Sequence, residues 1–289
     1  MQLTKHDPLR MAGATAFFTT FALPAILIIL FTVSRLFMGQ GILAPALRTE
    51  LSDTIGPEAV EQVVNIARAM RNLTDNPVFA AGGFIFLVFV ATTLFNVISS
   101  SVNEIWSLKA TTPLRFKGTM VARLRSLIII LVIGLLLLLN LSFEAIRAFI
   151  GQFINAVPDW VSIVFRSALN DAISFVLITV WFGIVFRYLS LGRPRWKIAF
   201  TGAVVTSILF SIGKLVLRAL LDISNLNTIF GTSAIIVFLL LFVFYSSLIL
   251  YFGASFTDVY ARHVQKPIRP LPHASYYVRE EVVTEESRL

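Results

Sequence analysis

Residues 233–259 read SAIIVFLLLFVFYSSLILYFGASFTDV, with Asp258 as their only charged side chain. An α-helix rises about 1.5 Å per residue and needs roughly 20 apolar residues to cross a bilayer core about 30 Å thick. This stretch is long enough and apolar enough to meet that need. It therefore predicts a membrane-spanning helix.

Further stretches have the same character, and the whole chain has the composition that they imply. Hydrophobic residues make up 57% and charged residues 14% of the 289 residues, whereas a soluble domain carries about 25% charged residues. An ordinary soluble enzyme and a disordered chain are both excluded. We predict an all-α, polytopic membrane helix bundle with six transmembrane helices. The other spans are expected over residues 14–37, 79–102, 127–149, 161–189 and 198–220.

The spans divide the chain into one domain and a tail. Residues 1–262 are expected to form a single transmembrane domain, and residues 263–289 a polar, disordered cytoplasmic tail. The loop over about 38–77 is an insertion that predicts short amphipathic helices, because its apolar residues recur three or four apart. These helices form either a cap packed on the bundle, a lid over a cavity or an anchor at the level of the lipid headgroups. The apolar residues are Val60, Val63, Val64, Ala67 and Met70.

The basic residues predict the orientation of the chain in the membrane. Alternate loops are rich in lysine and arginine, and the positive-inside rule places such loops in the cytoplasm. Both termini are then cytoplasmic, and Trp106 and Trp196 fall at the inner interface. The residues that set this orientation are Lys109, Arg115, Lys117, Arg123, Arg125, Arg187, Arg193, Arg195, Lys197, Arg262, Lys266 and Arg269.

Polar residues occupy one face of the second predicted span. Asn96, Ser99, Ser100 and Asn103 follow the i, i+3, i+4, i+7 spacing of a helical face. Lipid offers such groups no partner, so they should face the bundle interior or a wet cavity. The set is either hydrogen-bonding glue between helices or the lining of a polar path.

A second set of residues is charged and, in the predicted topology, lies at the outer end of the membrane. It contains four cations and three carboxylates. One reading is interfacial ion pairs with snorkelling side chains. The other is a substrate site in which Lys214 and Arg218, with Arg147 or Arg166, hold a phosphate or carboxylate. The full set is Glu144, Arg147, Arg166, Asp171, Lys214, Arg218 and Asp222.

Small residues on the last two spans predict close helix packing. They are Gly202, Ala203, Ser207 and Ser211 on one span and Gly231, Gly253, Ala254 and Ser255 on or beside the other.

The sequence predicts no metal site and no cofactor. It contains no cysteine, and its three histidines lie in the polar ends of the chain. Thiolate chemistry is therefore excluded, and no histidine pair has metal-ligand spacing. The phosphate-binding loop of nucleotide-driven pumps is also absent, which excludes primary active transport by this chain alone.

Several short segments occur in a recognisable order along the chain. They are AGATAFF at 12–18 with Pro24, NEIW at 103–106, Gly202-Ala203, Gly213-Lys214, and Gly231 followed by FYS at 244–246 and Gly253-Ala254. Over about residues 8–262, this set resembles the YihY/BrkB family of bacterial inner-membrane proteins. The resemblance implies a six-helix inner-membrane protein with cytoplasmic termini, in a family linked to serum resistance and to lipopolysaccharide or lipid handling. Family members commonly carry an acidic residue after the final Gly-Ala, where this chain has Ser255.

The same family carries an old label as ribonuclease BN, and the residues argue against that activity. Metal-dependent RNA hydrolysis needs clustered carboxylates or histidines on the RNA side of the membrane. Glu104, Asp258 and the tail glutamates on the predicted cytoplasmic side are far apart. We predict no enzymatic activity and no nucleic-acid partner.

Three functions remain open to the sequence. The leading one is transport or flipping of an amphipathic anionic lipid or envelope-related substrate, with anionic membrane lipids as partners. The alternative is a non-transporting scaffold in envelope assembly, with a second copy or an envelope protein as partner. A small-solute channel ranks third, because the inner halves of the third and fifth spans are too apolar to line a full pore.

Overall fold

The computed structural model describes residues 7–22, 61, 77–111, 159–223 and 234–277, and most of these residues are helical. The predicted third span at 127–149 and the amphipathic helices predicted at 38–77 lie outside the described residues, apart from Glu61, which is helical and exposed. The described helices are α1 (residues 8–22), α2 (Pro77–Ile105), α3 (Asp159–Tyr188), α4 (Trp196–Ile223) and α5 (Ala234–His263).

Helices α2 to α5 overlap four of the predicted spans and extend beyond most of their ends, whereas α1 is described over only the first part of the span predicted at 14–37. The apolar pattern marks the part of a helix that lipid can cover, whereas the helix itself continues until a cap ends it. At the end of α5, Gln265 has a φ of 55°. Its N–H donates to the Arg262 carbonyl at 3.0 Å, and the Lys266 N–H donates to the Ala261 carbonyl at 2.9 Å. This pair of bonds is a Schellman motif, and Pro267 follows it.

Two stretches within the described residues are long and apolar enough to cross a membrane, judged by length and composition. They are Trp196–Leu217 in α4 and Leu239–His263 in α5, while the apolar part of α3, Ser174–Tyr188, is shorter. The number of six spans therefore stays a prediction.

Short strands join the loops at one end of the bundle to the segment after α5. Strand β1 (Leu108–Ala110) pairs antiparallel with β4 (Ala274–Tyr276), and β2 (Gly192–Arg193) pairs antiparallel with β3 (Arg269–Pro270). The described part is thus mostly helical rather than all-α. The sequence predicts a disordered tail from residue 263, whereas this part of it is ordered by backbone pairing with two loops.

A single apolar side chain fixes the strand segment on the bundle. Ile268 is buried between the loops, and a Cβ added at Gly192 would lie 2.6 Å from Ile268 Cγ2 and 2.7 Å from Leu108 Cδ1. Only glycine leaves room for this contact. The tail is therefore ordered because it completes the packing of the loops.

The core of the described region lies between α2, α3, α4 and α5. Trp106 is fully buried there, and its Nε1 donates to the Ala254 carbonyl at 2.9 Å. The sequence places Trp106 at the level of the inner interface, and this level stays a prediction. The indole itself packs inside the bundle with its N–H satisfied, and does not face lipid headgroups. Trp196 is exposed, as expected for an interfacial tryptophan.

The predicted close packing between the last two spans is confirmed. A Cβ at Gly202 would collide with the Thr257 side chain, and a Cβ at Gly253 would collide with Thr206. Each threonine thus fills the space that a glycine on the other helix leaves open.

Candidate functional site

The charged residues predicted to form an outer site fall on two described helices and on one region that is not described. Arg166 and Asp171 lie on α3, and Lys214, Arg218 and Asp222 lie on α4. Glu144 and Arg147 lie outside the described residues. Lys214 is half-buried.

Helices α3 and α4 pack side by side in opposite directions, which sets the heights of these residues. A Cβ at Gly183 would lie 3.2 Å from Phe200 Cε1, so these two positions face each other. Arg166 precedes Gly183 by as many residues as Leu217 follows Phe200. The backbone at Arg166 is therefore level with that at Leu217, the residue before Arg218, at the end of the pair remote from the strands.

The polar face of α2 divides into two pairs with different surroundings. Ser99 and Asn103 bond to the connection between α3 and α4, whereas Asn96 and Ser100 are exposed. Ser99 Oγ donates to the Leu189 carbonyl at 2.8 Å. Ser99 and Asn103 therefore hydrogen-bond α2 to the connection between α3 and α4, and the polar path stays a prediction.

Asn103 is the hydrogen-bonding centre of that connection. Its Oδ1 accepts from Ser190 Oγ at 2.7 Å and from the Leu191 N–H at 2.7 Å. Ser190 Oγ in turn accepts from the Gly192 N–H at 3.1 Å. One amide oxygen therefore fixes the backbone that leads into β2.

Helix α1 is tied to the bundle by a buried polar contact. The hydroxyls of Thr15 and Tyr251 lie 2.5 Å apart. Nearer the start of α1, Arg10 lies 3.7 Å from Glu104. These contacts hold the N-terminal helix against α2 and α5.

A buried carboxylate lies beside the strands at the end of α5. Asp258 is buried and pairs with Arg262 one turn later, with 2.9 Å between Oδ2 and Nη2. Burial raises the pKa of Tyr276 above its usual 10.0, and the Asp258 carboxylate raises it further while Arg262 opposes the rise. The Tyr276 hydroxyl donates to the Ile268 carbonyl. This group is therefore neutral at physiological pH and serves as a hydrogen-bond donor.

A cationic pocket is the feature that the sequence reasoning missed. It has a volume of about 420 Å³ and is lined by Arg187, Arg193, Arg195 and Arg269 together with residues 270–272. In the sequence these arginines indicate only orientation in the membrane. Arg269 has no visible link to the others there, because it belongs to the tail that the sequence predicts to be disordered. We call this site the arginine pocket.

The described residues contain no group of three histidine, aspartate or glutamate side chains that could hold a metal ion. The chemistry available at the arginine pocket is that of anion binding.

Comparison with known families gives the identity. The family described as Virulence factor BrkB matches residues 1–276. The chain belongs to the BrkB family. This confirms the resemblance to YihY/BrkB proteins that the ordered segments indicate.

Relatives of this BrkB-family chain include proteins named UPF0761 membrane protein. The one from Mannheimia succiniciproducens is 26% identical over 249 residues, which cover 86% of this chain and 83% of that protein. The one from Delftia acidovorans is 26% identical over 253 residues, or 85% and 58% of the two chains. The one from Verminephrobacter eiseniae is 23% identical over 261 residues, or 88% and 59%. The match spans less than three fifths of the last two relatives.

No solved structure matches this chain. The family and the names of its relatives make it a membrane protein. The predicted membrane character is therefore confirmed.

Proposed function

We propose that this protein transports or flips an amphipathic anionic lipid or related envelope substrate in the bacterial inner membrane. In this proposal, residues 1–262 form one domain of six transmembrane helices with both termini in the cytoplasm. Its substrate site lies at the outer end, around Lys214 and Arg218, with anionic lipids as partners.

The observation that carries the proposal is the common height of the charged residues on α3 and α4. Arg166 is level with Leu217, the neighbour of Arg218, on an antiparallel helix pair, and Lys214 lies one helical turn before Arg218. Cations are costly at the end of an apolar helix unless they reach water or an anion. Several of them at one height suit a phosphate or carboxylate that bridges two helices.

A lipid-translocation assay tests the proposal. The protein is reconstituted into vesicles that contain fluorescently labelled phosphatidylglycerol, and an impermeant quencher reports the label in the outer leaflet. We expect the wild type to move label between leaflets faster than protein-free vesicles. We expect Lys214→Gln with Arg218→Gln to reduce the rate at least about ten-fold, because two charge-assisted bonds are removed.

The matched control is Lys109→Gln with Lys266→Gln, which removes the same charge from the strand end of the bundle. It should retain the wild-type rate. Wild-type vesicles that move lipid no faster than empty ones would contradict transport, whatever the variants do.

The alternative, a non-transporting scaffold, is favoured by the packing of the strand end. Trp106, Phe186 and Tyr251 are fully buried in one continuous core there. A filled core suits a protein that holds a partner rather than one that opens. The translocation assay separates the two functions, since a scaffold leaves the label in place.

The proposed topology has a direct test, because the chain contains no cysteine to remove first. Ser52→Cys in the outer loop should react with an impermeant maleimide in intact cells. Ser287→Cys in the tail should react only after the cells are opened. Labelling of Ser287→Cys in intact cells would overturn the orientation.

A further inference from the structure

The arginine pocket brings together cations from three separate parts of the chain. Arg187 lies in the last turn of α3, Arg193 and Arg195 lie in the connection to α4, and Arg269 lies in β3. The described lining contains these arginines and no carboxylate. By contrast, Arg10 and Arg262 face Glu104 and Asp258. The pocket therefore concentrates positive charge that its described lining does not neutralise.

Strand pairing forces two of these cations together. Arg193 and Arg269 are direct partners in the antiparallel pair of β2 and β3. Residues opposite each other in such a pair project their side chains to the same face, with Cβ atoms about 5 Å apart, and like charges there are destabilising. An anion bound between them would relieve this repulsion.

Arg187 is held in place before any ligand arrives. Its Nη1 donates to the Pro194 carbonyl, and its Cζ lies 5.4 Å from the centre of the Trp196 ring. Its Nε is buried and has no hydrogen-bond partner among the described residues. A guanidinium fixed by a carbonyl and an aromatic face loses little freedom when it binds an anion.

An exposed apolar stripe begins beside the pocket and runs along α4. Trp196, which contacts Arg187, stacks on Phe200 with 5.6 Å between ring centres. The stripe covers about 24 Å of helix, longer than the roughly 15 Å of one leaflet. A phosphate alone would leave this surface unused, whereas a lipid would cover both parts. The exposed residues are Trp196, Phe200, Val204, Ile208 and Ile212.

We propose that the arginine pocket binds the phosphate headgroup of an anionic membrane phospholipid, whose acyl chains lie along the stripe on α4. This site is distinct from the outer set around Lys214 and lies at the opposite end of the α3–α4 pair. It holds whether or not the protein transports lipid, since it is a binding site and not a pathway.

Native mass spectrometry of the full chain in detergent tests the site. The protein is titrated with phosphatidylglycerol, with zwitterionic phosphatidylcholine and with inorganic phosphate. We expect the wild type to prefer phosphatidylglycerol to phosphatidylcholine. Arg193→Gln with Arg269→Gln should weaken phosphatidylglycerol binding at least about ten-fold, because two charged donors are lost.

The matched control is Lys197→Gln with Lys266→Gln, which removes two exposed cations from the same end of the bundle but outside the pocket. It should bind within about two-fold of the wild type, as expected for exposed charges. A second variant, Arg193→Lys with Arg269→Lys, keeps the charge but loses the planar fork and should give an intermediate loss.

Folding is checked separately by thermal unfolding in lipid-free detergent. The Gln pair removes a repulsion, so we expect its midpoint to be no lower than that of the wild type. If the control pair lost phosphatidylglycerol binding to the same extent, the arginine pocket would not be the binding site, because net charge alone would then explain the binding. Phosphate binding by the wild type without preference for phosphatidylglycerol would overturn the lipid as the ligand.

Discussion

The α4–α5 interface and the loop end of the bundle are held together by different means. Between α4 and α5, Thr206 and Thr257 fill the spaces opposite glycines, yet each donates its hydroxyl at 2.7 Å to a carbonyl of its own helix. At the loop end, Ser99 and Asn103 donate to or accept from backbone groups of another element. The glycine–threonine contacts specify the first region by shape, whereas in the second region Ser99 and Asn103 add hydrogen bonds to the packing of Ile268 against Gly192. Different substitutions should therefore break each.

The largest effect should come from adding volume to the α4–α5 interface. Gly202→Leu places a side chain where Thr257 lies, and we expect a loss of about 3 kcal/mol or more in unfolding free energy from overpacking. Thermal unfolding in detergent measures it. Gly13→Ala is the matched control, because nothing lies within 4 Å of its added Cβ.

A smaller substitution at Gly202 allows a test of whether shape alone specifies the α4–α5 interface. Gly202→Ala should be destabilised, and Thr257→Ala in that background should restore stability by removing the colliding group. If the second substitution only adds to the loss, the interface depends on more than shape.

At the loop end, removing one hydrogen-bond acceptor should destabilise the connection between α3 and α4. Asn103→Ala leaves the Leu191 N–H and the Ser190 hydroxyl without their partner, and we expect a loss of about 2 kcal/mol. Asn103→Asp keeps an acceptor oxygen for both donors and should lose less. Asn96→Ala, at an exposed position of the same helix, should change stability by less than about 0.5 kcal/mol.

Substitution of Tyr251 tests whether a hydrogen bond inside the bundle contributes as much to stability as those at the loop end. Tyr251→Phe should cost about 1 kcal/mol, since it removes the hydroxyl but keeps the ring. A double-mutant cycle with Thr15→Val measures the coupling between the two side chains. A coupling near zero would show that α1 is held by packing, like the α4–α5 interface.

The smallest effect concerns pH at the strands. The pKa of Tyr276 is raised in the folded protein, so the folded state keeps its proton to higher pH than the unfolded chain does. The stabilisation is present below pH 10 and should be lost as pH rises beyond it. Unfolding temperatures between about pH 8 and pH 11 should fall more steeply for the wild type than for Tyr276→Phe. Equal slopes would assign the alkaline loss to other groups.

The sequence predicts the positions of the helices well, because each helix corresponds to a long continuous run of mostly apolar residues. Gly202 and Gly253 also predict close packing, since small residues in a membrane helix have few other uses. The sequence does not predict the strands, because a strand of two or three residues is too short to show a periodic pattern. In addition, Arg193 and Arg269 pair with each other although they are far apart in the chain. The burial of Trp106 is not predictable either, because composition does not tell an indole that faces lipid headgroups from one whose N–H donates to a buried carbonyl.

The same limit applies to the candidate sites, because contacts between distant parts of the chain bring their residues together. Arg187, Arg193 and Arg195 are visible as a basic loop, and their number alone suggests only orientation in the membrane. Arg269 comes close to these three arginines because its neighbour Ile268, an apolar residue in a proline-rich segment, packs between the loops. The roles of Ser99 and Asn103 depend on the free backbone groups at the end of α3, which no side-chain pattern reveals.

The strands also impose an order on biosynthesis. Strands β3 and β4 follow every described helix in the sequence, while their partners β1 and β2 are translated much earlier. The loops after α2 and α3 must therefore leave the ribosome with their backbone groups in water and wait for the end of the chain. A nascent chain arrested before Ile268 lacks this closure, and its open loops would distinguish it from a finished molecule to a membrane protease.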